Sequence, residues 1–233
     1  MIDSFDLDTR RDQMRRMVAK MIGQRCYIVF ASEIGLECHG RLGGFTAVGL
    51  HTLIKETMPG EYVGPLPTVV VVDNDLRDVT LSPAAAACMF DAICLHELAH
   101  IVERGINAEN GTAIDAAILR GIVATPWTEW PLHSPAKWAG HDLKYIRVLC
   151  HLLHRSKSRG LWVSPELAFG HEDYGLSPLS EYADSLGDEP QLTSWLPLSQ
   201  ALNRPAPDEF KQLWSRDVVA SLMVGNALER GTR

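Results

Sequence analysis

The sequence predicts an α+β fold, with strands in the first third of the chain and helices after them. Three observations predict it. Residues 26–31 (CYIVFA) and 68–72 (TVVVV) are short β-branched and aromatic runs bounded by turn residues. Residues 83–104 form a long Ala-rich run behind a serine and a proline and ahead of a glycine. Beyond residue 140, apolar residues recur at helical rather than alternating spacing.

The elements follow in order. Met14, Met17, Val18 and Met21 recur at helical spacing with basic residues between them, so an amphipathic helix spans residues 9–22. The run 26–31 lies between Gly23 and Ser32 and reads as a strand. A glycine-rich turn at 40–44 leads into residues 45–54, expected as a second strand or pair of strands. Residues 68–72 follow Pro67 and stop at Asp73-Asn74, the pattern of a buried strand. Ser82 can cap the next helix, Pro83 suits a first turn that needs no N–H, and Gly105 supplies a left-handed stop. Pro126, Pro131 and Pro135 with Trp127, Trp130 and Trp138 mark an irregular connection. Helices are expected over 141–158, 192–202 and 208–228, with a loop-rich stretch at 170–190.

Composition narrows the function classes. Apolar content of 46% and charged content of 22% suit a folded domain and argue against disorder. The 22 basic and 29 acidic residues leave a formal charge of −7, which gives no electrostatic footprint for nucleic acid. No uninterrupted apolar stretch reaches spanning length, so no membrane partner is expected. The start, Met1-Ile2-Asp3-Ser4-Phe5-Asp6, lacks a basic then apolar leader, and a cytoplasmic location is expected. Five cysteines (26, 38, 88, 94 and 150) are an odd number without CxxC spacing, read as reduced core residues.

The chemistry begins with His96-Glu97-Leu98-Ala99-His100. Histidines four residues apart on a helix leave the same face about 5–6 Å apart at Cβ, so two imidazoles can converge on one ion. Glu97 is rotated off that line, where it misses the ion but can reach a water bound to it, as a general base must. Zinc lowers the pKa of such a water to about 7. Ile93, Leu95, Leu98, Ala99, Ile101 and Val102 surround the trio, an apolar setting in which unpartnered polar groups carry a desolvation cost.

This segment resembles the zincin metallopeptidases, in which HExxH lies on a helix behind a small mixed sheet. The resemblance implies a zincin-like fold with additional C-terminal helices, Zn2+ as cofactor, His96 and His100 as ligands and Glu97 as catalytic base. It further implies a peptide or protein substrate. On this reading residues 1–175 form the catalytic domain and 176–233 a helical extension. By the same analogy, residues 45–50 are a candidate edge strand for pairing with an extended peptide.

A catalytic zinc takes three protein ligands and keeps one position for water. The long metzincin motif would place glycine and histidine where Glu103 and Ile106 stand, which excludes that subclass. His141 shares a helical stripe with Tyr145, Val148 and Leu152, facing the core, whereas Lys144, Arg147, His151, His154 and Ser158 fall on the other side, and His151 and His154 are expected to meet solvent. His141-Asp142-Leu143-Lys144-Tyr145 also resembles the H-G-x-x-F element that supplies the third histidine in SprT-like metallopeptidases, with Asp142 in place of the glycine and Tyr145 in place of the phenylalanine. His141 is thus the leading third ligand. His133 is the alternative, and Glu109, Glu129 and Glu166 are the carboxylate candidates. Asp142 is a candidate to orient an imidazole, and Tyr145, Arg147 or Tyr174 to stabilise an oxyanion.

Two other readings stay open. A deformylase-like amidase would need a cysteine ligand upstream, for which Cys38 is the one candidate. A non-catalytic zinc-stabilised adaptor would close its site with a fourth protein ligand.

Overall fold

The computed structural model describes residues 6–36, 43–47, 50–77, 82–105, 143–169 and 208–216, with isolated positions at 198, 203, 205 and 206. The chain divides into two compact units, 1–129 and 130–233, a different cut from the one at residue 175 drawn from sequence.

In the first unit, helix α1 (Leu7–Ile22) starts where Asp6 accepts a hydrogen bond from the Asp8 amide at 3.0 Å, two residues ahead of the expected start. Strand β1 (Tyr27–Phe30), strand β2 (Gly43–Ala47), helix α2 (His51–Thr57), strand β3 (Thr68–Val72) and helix α3 (Pro83–Glu103) follow. Short 3-10 turns occupy Ser32–Ile34 and Asp75–Arg77. The fold of this unit is mixed α and β, as the patterning predicts.

The expectation of strand across 45–54 is corrected in its second half, because residues 51–57 are helical. Leu50 and Ile54 are one turn apart and both buried, so a single apolar stripe seats this short helix. Periodicity over so few residues does not separate the two structures.

The sheet has the order β1-β3-β2. β1 runs parallel to β3 with Val29 opposite Val70, and β2 runs antiparallel with Thr46 opposite Val69. Tyr27, Val29, Val70 and Val72 join Leu50 and Ile54 in one core on the α2 side. On the other side lie α1 and α3, with Phe30 against Phe90 at 5.8 Å between ring centroids. Arg10 of α1 reaches the buried Asp91 of α3, its Nε donating to Oδ1 at 2.9 Å.

Helix α3 ends as expected, with Ser82 Oγ accepting from the Ala85 amide at 3.2 Å at its start and Gly105 at φ 63° beyond its end. With 21 residues it is long and apolar enough to cross a membrane, yet here it is a core helix packed on β2, β3 and α1.

The second unit is described through helix α4 (Leu143–Lys157), helix α5 (Pro165–Phe169), which packs on α4, and the helical residues 208–216. The expectation that His151 faces solvent is corrected. His151 is fully buried and Arg147 is buried too, because α4 is enclosed on more than its apolar stripe.

At the end of β3 the buried Asp73 carboxylate accepts from the Ser32 amide at 3.1 Å, from Ser32 Oγ at 2.6 Å and from Arg77 Nε at 2.6 Å. Burial alone would raise its pKa, but the Ser32 and Arg77 hydrogen bonds outweigh that and hold it below the usual carboxylate value. Asp73→Ala removes three hydrogen bonds made at a buried carboxylate, but Ser32 and Arg77 are exposed and can turn to water, so the expected cost is about 1–2 kcal/mol in urea denaturation. A lowered folded-state pKa gives stability that is full above the unfolded value and lost as pH falls through the folded one. The gap between wild type and Asp73→Ala should therefore hold steady from neutrality down to the ordinary aspartate value of 3.8 and narrow below it.

Candidate metal centre

Helix α3 carries His96, Glu97 and His100 on its last two turns. The imidazole centroids of His96 and His100 lie 5.2 Å apart at an interplanar angle of 74°. His100 is 8% and Glu97 6% exposed, and His96 is half-buried. Leu95, Leu98, Ala99 and Ile101 around them are fully buried, so three ionisable groups sit in an apolar stretch of helix. Two adjacent imidazoles on one face fit a zinc ion, which takes histidine nitrogens at about 2.0–2.1 Å. They would make two of the three protein ligands that a catalytic zinc site takes. Among the described residues no cluster of three or more His, Cys, Asp or Glu side chains gathers to hold a metal.

Glu97 is met from the sheet. Thr46 Oγ1 lies 2.8 Å from the Glu97 carbonyl oxygen and 3.0 Å from its Oε2. Two residues earlier on β2, a Cβ built on Gly44 would stand 2.7 Å from Ile93 Cγ2, 2.8 Å from the Val70 carbonyl oxygen and 3.1 Å from Glu97 Cγ. Gly44 is therefore required by close approach: only a residue without a side chain lets β2 lie this near to α3.

The remaining candidates divide by location. Tyr145 on α4 is 1% exposed, and Arg147 on the same helix is buried. His141, Asp142, His133, Glu109, Glu129, Tyr174 and Cys38 lie outside the described residues, as does the side chain of Glu166. Of the cysteines, Cys94 and Cys150 are buried as expected, whereas Cys26 and Cys88 are partly exposed. Burial pushes the Cys26 thiol up to about 12 and the Cys94 and Cys150 thiols above their ordinary value. Such thiols stay protonated at neutral pH, which suits packing rather than ligation.

No protein-family model, curated protein or solved structure matches this chain. Gly44 and Thr46 were missed by sequence reasoning, which used the glycines at 40–44 only as a turn signal. Their roles depend on a pairing with Glu97 some fifty residues away in the chain, and local patterning carries no signal for it.

Gly44→Ala forces β2 away from α3 and is expected to cost about 1–3 kcal/mol, seen as a lower urea midpoint. Gly60→Ala is the control, since a Cβ there meets nothing within 4 Å.

Proposed function

We propose that the chain is a zinc-dependent hydrolase, a metallopeptidase of zincin type acting on the amide bonds of peptides or proteins. The observation that carries this reading is the trio on α3, in which two imidazoles at 5.2 Å share a helix face and a buried glutamate lies between them. The packing of α3 on a small mixed sheet supports the zincin-like reading of the fold.

His96 and His100 would hold the metal, with His141 as the proposed third ligand. Zinc would supply a Lewis acid that acidifies a bound water and polarises the substrate carbonyl. Glu97 takes the proton of the attacking water and returns it to the leaving amine. Thr46 engages Oε2, and Oε1 is the atom proposed to carry that proton. When Glu97 is protonated at Oε1, Oε2 is still an acceptor for the Thr46 hydroxyl, so the side chain keeps its anchor.

The test is metal content beside hydrolysis of fluorescently labelled casein. Wild type is expected to hold stoichiometric zinc, with turnover lost to a chelator and restored by added Zn2+. Glu97→Gln should keep the zinc and lose about 10²–10⁴-fold in turnover. His96→Ala should lose both zinc and turnover. A metal-free wild type, or full activity in Glu97→Gln, would sink the proposal. A fourth protein ligand seen by X-ray absorption would turn the reading to the zinc-stabilised adaptor.

A further inference from the structure

We infer that Thr46 is a positioning residue for Glu97: its hydroxyl, brought from strand β2, sets the orientation of the carboxylate that the proposed mechanism uses as base. The catalytic meaning rests on the hydrolase reading. The hydrogen bond itself does not.

The geometry brackets one residue at both ends. Thr46 Oγ1 reaches the main-chain carbonyl of Glu97 at 2.8 Å and the carboxylate Oε2 at 3.0 Å. A hydroxyl has one proton to donate, and both of these partners are acceptors, so it donates to one or is shared between them. A glutamate side chain has three rotatable bonds, and a contact made only through the helix backbone would leave its far end free to turn. Thr46 ties that far end to the start of the same side chain.

Thr46 is itself well placed to do this. Its β-branched side chain has few rotamers, so the strand backbone decides where the hydroxyl points. That backbone is pinned by pairing with Val69 of the fully buried β3. Gly44, on the same strand face, removes the Cβ that would collide with Ile93, the Val70 carbonyl and Glu97 Cγ. The two β2 residues act together: glycine permits the approach and threonine uses it. The rigid sheet, rather than the helix alone, then holds the carboxylate relative to His96 and His100. Partners that orient the groups around a metal are typically worth about 10–100-fold in activity or metal affinity.

The experiment compares Thr46→Val, Thr46→Ser and Thr46→Ala in the full chain, with circular dichroism to establish folding. One readout is the ¹³Cδ resonance of Glu97 in glutamate-labelled protein, assigned by its disappearance in Glu97→Gln. The other is casein hydrolysis by the zinc-loaded protein. Thr46→Val is expected to move the Glu97 resonance and to lower kcat by about 10–100-fold, with KM changed less than about twofold. Thr46→Ser, which keeps the hydroxyl, should restore both. Thr46→Ala removes the hydroxyl without adding bulk and gives the same reading should valine disturb the fold. An unmoved Glu97 resonance and unchanged kcat in the valine and alanine variants would overturn the inference, as would a serine variant no better than valine. If wild-type protein fails to hydrolyse, the hydrolase reading falls, while the Glu97 resonance still decides whether Thr46 holds the carboxylate.

Discussion

Strand β3 has no exposed side, and the rest of the first unit is arranged around that constraint. Val69 to Val72 are at most 1% exposed, and β1 and β2 pair with its two edges. A strand buried on both faces needs cover on both. Helix α2 covers one face, and α1 with α3 cover the other. The position of α3, and so of His96, Glu97 and His100, is inherited from this layering. The placement of the face that carries the two histidines is a by-product of where the valines of β3 must be covered.

Buried charge in this unit is handled by pairing across elements. Asp91 of α3 meets Arg10 of α1, Arg11 of α1 meets Glu33 beyond β1, and Asp73 meets Arg77 and Ser32. Burial still raises the Asp91 carboxyl despite its guanidinium partner, so desolvation is not fully offset there. Such pairs locate elements more than they stabilise them, because the desolvation penalty consumes most of the attraction. Phe30 shows the same economy, with the guanidinium carbons of Arg11 and Arg77 at 5.1 and 4.8 Å from its ring centroid. These side chains tie α1 and both 3-10 turns to the end of the sheet.

What the sequence made legible is what local chemistry decides. The TVVVV run behind Pro67 is β3 residue for residue, and Ser82, Pro83 and Gly105 bound α3 as their capping chemistry requires. His96 and His100 share a face by helical arithmetic alone. What depends on distant packing was not legible. The α2 helix hides among residues with strand character, since its stability comes from seating Leu50 and Ile54 in the core. His151 reads as a surface residue on a helical stripe and is fully buried. Asp73 gives no hint in sequence that Ser32, forty-one residues earlier, is its partner. The contact of Thr46 with Glu97 is of the same kind, made by a sheet register that no single segment encodes.

That register carries a built-in proof of its own correctness. In a sheet, sliding one strand by a single residue exchanges its two faces. Were β2 to slip against β3, Gly43 or Phe45 would replace Gly44 opposite Val71, and Thr46 would leave its place opposite Val69. In the Phe45 case a ring would have to enter a gap that does not admit even a methyl group. The space at position 44 thus works as a checkpoint against one of the two slips: bringing Phe45 opposite Val71 meets a steric penalty beside Glu97, whereas bringing Gly43 there does not and is marked only by the displacement of Thr46. Correct strand pairing and the contact between Thr46 and Glu97 are then one event.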